Sequence, residues 1–219
     1  MIGEFFLLTL GINRKIREVF DEDKDYILDL GCGANPKYHN VMKGNVVCLD
    51  LHKGKSAHII ADADRLPFKA NSFDKVISVN SFYYFKNPFD VAKDLSKILK
   101  KNGTLFLVMP FFYPIHDVPS DKYRFSEHGI RTVFAEDFRI ESIDTIGGIF
   151  SLPSVILHSA IKGTPLLFDG FLKSISKILA YVIFYVPYIL SQFLEVLNVL
   201  DKTKRVPVYY VAVMSKNKD

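Results

Sequence analysis

The sequence predicts an α/β fold, a mostly parallel sheet covered by helices on both faces, and three features predict it. From about residue 25 onward, short apolar runs alternate with helical patterns, as strands buried on both sides require. The first run ends in a glycine turn, Gly31-Cys32-Gly33, at the kind of place where an open parallel sheet carries its ligand. The last run, Val206–Met214, alternates as a strand does, so the chain returns to the sheet after a long apolar detour.

In chain order, the first twenty residues read as a helix with Phe6, Leu10, Ile16 and Phe20 among its apolar positions, and the charged run Asp21 to Asp25 punctuates it. Strands are expected at Tyr26–Leu30, Val46–Leu51, His58–Ala61, Lys75–Val79, Thr104–Met109, Phe138–Ile146 and Val206–Met214. The clearest helix is Phe89–Lys101: Val91, Leu95, Ile98 and Leu99 make its apolar stripe, lysines crowd its last turns, and Asn102-Gly103 stops it. Residues 150–205 are too apolar for a loop and too long for a turn, and read as a helical insertion. At 219 residues the chain is expected to form a single domain, 1–219, with a sizeable core.

Composition bounds the function. Hydrophobic residues make up 49% of the chain, greasy enough that one stretch is expected to face something other than water. Residues 1–161 carry 20 basic and 20 acidic side chains and residues 162–219 carry 8 and 4, so the net +4 sits at the C-terminal end. Those basic residues flank apolar sequence rather than forming a run, which favours a membrane surface over nucleic acid. Cys32 and Cys48 both lie on apolar segments and read as buried thiols in a reducing cytoplasm. A zinc site would need more ligands at closer spacing, so no metal is expected. Phe5–Leu10 is short, follows Glu4 and precedes Arg14, Lys15 and Arg17, the wrong order for an export signal.

The run Ile27-Leu28-Asp29-Leu30-Gly31-Cys32-Gly33-Ala34-Asn35-Pro36 is a buried strand entering a turn whose glycines allow positive φ and close approach of a ligand. Pro36 stands where a dinucleotide site has its third glycine, which argues against a nicotinamide-dependent oxidoreductase. Asp29 puts a negative charge before the turn, unsuited to phosphate and suited to a cationic ligand. Asp50 adds a second carboxylate at the end of the second strand.

D-L-G-C-G resembles the first motif of class I S-adenosylmethionine-dependent methyltransferases, and further matches follow in that family's order. Ala61-Asp62-Ala63-Asp64-Arg65-Leu66-Pro67-Phe68 with Asn71-Ser72-Phe73-Asp74 resembles the stretch that closes over adenine, and Leu99-Lys100-Lys101-Asn102-Gly103 resembles the helix end before the fifth strand. The resemblance covers about residues 25–110. It implies a Rossmann-like, seven-stranded sheet with an antiparallel last strand, and S-adenosyl-L-methionine as cofactor. The residues it assigns to that cofactor are Asp29, Gly31, Cys32, Gly33, Asp50, Leu51, Asp62, Ala63 and Asn80. Asp50 would accept from both ribose hydroxyls, Asp62 would accept from the exocyclic amine, and Asn80 falls where the family's backbone receives the methionyl amino group. Leu51, Leu66 and Phe82 are placed to pack on the adenine or in the core.

The segment after the fifth strand should face the reacting methyl group. Tyr113-Pro114-Ile115-His116 with Pro119-Ser120-Asp121-Lys122-Tyr123-Arg124 resembles a stretch of methyltransferases linked to cell-surface glycans and lipids. His116 is the candidate general base, with a pKa near neutrality, and Arg124 the candidate clamp for a substrate carboxylate or phosphate. The other reading of this segment has His116 and Asp121 capping turns while Arg124 pairs with Asp121.

Together these readings predict a methyltransferase acting on a lipophilic or membrane-held small molecule, lipid or glycan, in the cytoplasm and peripheral on the inner face of the membrane. The alternative is a membrane-associated module that binds the cofactor without turnover. Nucleic-acid methylation is disfavoured: the basic patch is thin, and no Asn-Pro-Pro-Tyr-type or Pro-Cys motif is present. The insertion is expected to lie on a membrane surface, pack over the sheet or make a dimer, and not to span a bilayer. Its longest uncharged run, Ile178–Leu194, reaches about 25 Å as a helix against a hydrocarbon core of ~30 Å, and Pro187 interrupts it. A helical reading aligns Asp169, Lys173, Ser176, Ala180, Pro187, Ser191, Glu195, Asn198 and Lys202 in one polar stripe, with Tyr181, Tyr185 and Tyr188 near its edge.

Overall fold

The computed structural model describes residues 6–115, 117–163, 174–176, 178–179 and 181–217. They divide into two compact units, one of residues 12–111, 117–144 and 209–219, the other of residues 1–11, 112–116 and 145–208.

The first unit is built on a seven-stranded sheet. Its strands are β1 (Tyr26–Leu30), β2 (Asn45–Asp50), β3 (Ile59–Ile60), β4 (Phe73–Val79), β5 (Leu99–Pro110), β6 (Phe138–Ile146) and β7 (Tyr209–Lys216). The order is β3-β2-β1-β4-β5-β7-β6. Pairing is parallel from β3 to β5, and β7 runs antiparallel to β5 from Thr104↔Ser215 to Pro110↔Tyr209. The predicted sheet, antiparallel last strand included, is therefore present. Ile27, Leu28, Leu30, Val76, Ile77 and the run from Leu105 to Val108 are fully buried, which is why these strands read as continuous apolar runs. The chain moves one way from β1 to β3 and the other way from β4 to β5. The β1/β4 boundary is thus the topological switch point, where the carboxyl ends of the strands open a crevice.

Helix α1 (Phe6–Val19) leads into Phe20, whose ring meets Phe106 of β5 edge-on at 5.6 Å. Helix α2 (Pro88–Ile98) starts at Asn87, whose side chain accepts from the Asp90 N–H, with Pro88 where a helix needs no donor. It ends before the predicted Lys101. Leu99 pairs with Phe73 as the first residue of β5, and Lys100 Nζ reaches the Asp74 carboxylate at 2.8 Å, so tertiary pairing overrides the helical pattern. Asn102, at φ +60°, then turns the chain within the long strand. Helix α3 (Glu127–Phe134) is capped by Ser126 and buries Ile130, Val133 and Phe134.

In the second unit the predicted insertion is helical. Helix α4 (Leu152–Gly163) precedes a π-helical turn (Tyr181–Tyr185), α5 (Val186–Leu194) and a 3-10 turn (Glu195–Leu200). Pro187 sits in the first turn of α5, and its missing donor falls beside the π turn, where the backbone bonding already changes step. The stretch Ile183–Leu200 is long and apolar enough, by length and composition, to cross a membrane, although the uncharged run Ile178–Leu194 alone falls short. Of the predicted stripe, Asp169, Lys173 and Ala180 lie outside the described residues. Ser176, Ser191 and Glu195 are buried, while Pro187 is exposed and Tyr188 is buried in its stead.

Phe106 is fully buried in the interior strand β5 against Phe20. Phe106→Ala should therefore cost about 3–5 kcal/mol of stability, read by urea denaturation; a loss under about 1 kcal/mol would mean that this core repacks around the void.

Candidate functional site

Each cofactor residue expected from the sequence lies at or just past the carboxyl end of a strand, and the sheet order brings most of them together. Gly31, Cys32, Gly33, Asp50, Leu51, Asp62, Ala63 and Asn80 line one cavity of about 480 Å³.

The turn after β1 dictates its own residues. Gly31 (φ +74°) and Gly33 (φ +67°) take a backbone conformation that L side chains rarely adopt. A Cβ on Gly31 would stand 2.4 Å from Ser81 Cβ, so even alanine has no room there. Ser81 is fixed in turn: its Oγ donates to the Leu30 carbonyl at 2.7 Å and pairs with Ser78 Oγ. Pro36 leads into a short 3-10 turn, Lys37–Val41, rather than an α-helix. Among the described residues no α-helix follows the glycine turn directly, the arrangement that would hold a pyrophosphate.

Asp50 braces the turn from the end of β2. One carboxylate oxygen accepts from the Gly33 N–H at 2.8 Å and the other from the His52 N–H at 2.9 Å. Each oxygen keeps a further lone pair for a ligand hydroxyl. Asp62 accepts from the Asp64 N–H at 3.0 Å, and Lys86 Nζ stands 3.9 Å from its other oxygen. Asn80 holds the left-handed conformation (φ +54°), and its N–H donates to the Val108 carbonyl. Its buried Oδ1 has no hydrogen-bond partner among the described residues. A buried carbonyl oxygen left in this state costs ~1–3 kcal/mol unless a ligand donor meets it.

Asp29 departs from the expectation. It is fully buried and does not line the cavity. Tyr38 donates to its two oxygens at 2.9 and 2.7 Å, and His39 Nε2 lies 2.6 Å from Oδ2. Burial pushes its carboxyl above the usual range, and the hydrogen bonds from His39 and Tyr38 oppose that rise. Its charge is thus spent on the 3-10 turn that follows the glycines, and it positions the loop rather than greeting a ligand. Nothing in the sequence marked Tyr38 and His39 as its partners. Asp29, His39 and Cys48 do bring three donor atoms within 4.8 Å of one another. The 2.6 Å contact is that of a hydrogen bond; two ligands on one tetrahedral ion stand roughly 3.3 Å apart.

Asp117, Ser120 and Lys122 from the segment after β5 line the same cavity, as do Tyr84, Phe85 and Lys86. Lys122 Nζ donates to the Tyr84 carbonyl. His116 lies outside the described residues. Arg124, expected as a substrate clamp, is committed elsewhere: it forms a two-pronged pair with the buried Asp121, Nη2 to Oδ2 at 2.7 Å, and lies over the Tyr83 ring. Leu51 stands exposed at the cavity wall, whereas Phe82 and Leu66 belong to the core cluster and its margin. Both cysteines are buried free thiols. Burial, then the Asp29 charge, pushes the Cys32 thiol up, and burial does the same to the Tyr84 phenol. Neither is an anionic base near neutral pH.

Comparison with known proteins agrees with this geometry. Residues 28–107 match a family model described as a methyltransferase domain. An uncharacterized protein of Methanocaldococcus jannaschii is 29% identical over 194 residues, covering 84% of this chain and 73% of that protein. The solved S-adenosylmethionine dependent methyltransferase from Mesorhizobium loti superposes with TM-score 0.59 at 15% identity, over 97% of this chain and 100% of that one. A structure containing the Haloferax volcanii Trm112 methyltransferase activator and a putative methyltransferase gives TM-score 0.58 at 17% identity, over 94% and 88%. At these identities the structural likeness establishes the fold.

Two outcomes follow. Asp50→Ala should weaken S-adenosylmethionine binding by about 1.5–3 kcal/mol in calorimetry, and unchanged affinity in a folded variant would remove Asp50 from the site. Gly31→Ala should abolish that binding, since either the turn or Ser81 must move; wild-type affinity would show that the turn is not the cradle.

Proposed function

We propose that this chain, built on a class I S-adenosylmethionine-dependent methyltransferase fold and domain, transfers the cofactor's methyl group to a lipophilic acceptor, whether a small molecule, a lipid or a glycan carried on one. The observation that carries this reading is the unpartnered Asn80 Oδ1, buried in a wall that also holds the glycine turn, Asp50 and Asp62. S-adenosylmethionine brings an ammonium donor for such an acceptor atom, ribose hydroxyls for Asp50, an adenine amine for Asp62, and a methyl group activated on a sulfonium. The residues present fit it.

The chain's own part in catalysis is positioning, exclusion of water and removal of a proton. Asp117, Ser120 and Lys122 form the wall against which the acceptor is oriented. Next to Asp117 in sequence, His116 takes the proton from the acceptor's hydroxyl as its oxygen bonds the methyl carbon and the carbon–sulfur bond breaks. With Cys32 and Tyr84 held protonated, an imidazole is the side chain whose ordinary pKa suits that task. Exposed apolar side chains support a lipophilic acceptor: Leu51 lines the cavity at 57% exposure, and Val118, between the cavity-lining Asp117 and Ser120, is 78% exposed.

Tritiated S-adenosylmethionine incubated with the protein and fractionated lipid extracts should label one lipophilic product. His116→Ala should lower that turnover roughly a hundredfold or more while cofactor affinity stays at the wild-type value. Binding without label in any fraction would contradict methyl transfer, and wild-type turnover in His116→Ala would return this histidine to a structural role.

A further inference from the structure

The helical unit inverts the usual arrangement of a soluble protein. Between Ile183 and Leu200 every exposed residue is apolar, Val186, Leu190, Phe193, Val196 and Val199 among them. The buried residues of that stretch, Tyr188, Ser191 and Glu195, all carry polar groups. They turn toward α4, where Ser154 Oγ donates to Glu195 Oε1 at 2.6 Å. One turn further on, Asn198 donates to Ser151 Oγ at 2.8 Å and accepts from the Phe150 N–H at 3.1 Å. Only 17% of the stretch is buried, so it is not the core helix of a soluble fold. Ile156 of α4 is 57% exposed, and so is Phe6, whose N–H donates to Gln192 Oε1 beside α5.

Chemistry selects the occupant of this face. An interface between proteins carries roughly one hydrogen bond per 100–200 Å² to fix its register, and the exposed residues from Ile183 to Leu200 offer no side-chain donor or acceptor. Hydrocarbon asks for none. Directly after Leu200 the chain places Lys202, Lys204 and Arg205, all exposed, as headgroup-level cations beside an apolar face require.

We infer that the Ile183–Leu200 face is a docking surface for an anionic lipid bilayer, its apolar side chains entering the acyl boundary while Lys202, Lys204 and Arg205 meet the headgroups. The helix lies along the interface: its polar side is already spent on α4, leaving one broad apolar face to bury. This rests on the proposed function only in that a membrane would present the lipophilic acceptor.

Co-sedimentation of the full chain with phosphatidylcholine vesicles, with and without phosphatidylglycerol, tests the inference. Partition onto the anionic vesicles should be about tenfold or more higher at low salt and should fall as salt is added. Phe193→Asp and Val199→Asp, both at highly exposed positions, should each cut it roughly tenfold or more, and Lys202→Glu with Lys204→Glu and Arg205→Glu should erase the preference for anionic lipid. Wild-type protein that stays in the supernatant with both vesicles would overturn the inference. So would variants that bind as well as the wild type, or a Phe193→Asp that only converts a dimer into a monomer in ultracentrifugation. S-adenosylmethionine titrations on the same preparations keep the two claims apart. Failure of the wild type to bind cofactor contradicts the methyltransferase reading, whereas vesicle binding lost with cofactor affinity intact is the docking result.

Discussion

The close approach of two adjacent strand ends, where Gly31 meets Ser81, is the constraint on which the sheet-built unit and its cavity depend. Ser81 follows β4 and Gly31 follows β1, the two strands on either side of the switch point. Ser81 Oγ donates across that boundary to the Leu30 carbonyl, while its Cβ fills the space a side chain on Gly31 would need. With the turn pinned there, the Gly33 N–H reaches Asp50, and the Asn80 Oδ1 has no hydrogen-bond partner among the described residues. The cavity thus exists because a parallel sheet reverses its winding at one place and a glycine without a side chain permits the approach.

A second consequence concerns charge. Four acidic side chains, Asp50, Asp62, Asp64 and Asp117, line the cavity against two lysines, Lys86 and Lys122. That balance suits a cationic sulfonium ligand better than a polyphosphate, and the 3-10 turn that follows the glycines in place of an α-helix points the same way. Asp29 plays no part in the wall. Its burial against Tyr38 and His39 ties the loop after the glycines to the end of β1 and so fixes the loop's shape.

Much of this was legible in the residues. The strands Tyr26–Leu30 and Phe138–Ile146 stand where expected, because continuous or alternating apolar runs report burial directly. The motif from Gly31 to Asn80 assembled as a single site because the order of strands, not the identity of any one residue, brings its parts together. Pairings across long sequence distances stayed hidden. The end of α2 moved because Lys100 prefers Asp74 to a further helical turn. Arg124 spends its guanidinium on Asp121, three residues away, the pairing that the sequence offered as its other reading of this segment. In the insertion the periodicity showed a polar stripe, but a helix reads the same whether its stripe faces water or a partner. Ser154 and Glu195 decide that it faces inward.

Hydrogen exchange read by mass spectrometry, with and without S-adenosylhomocysteine, tests the central claim most directly, because it locates the ligand on the chain without any substitution. The account predicts slowed exchange at the amides of residues 31–33, 50–52, 62–64 and 80–81 and little change elsewhere in the sheet. Unchanged exchange at the glycine turn, or protection confined to segments away from these strand ends, would contradict it.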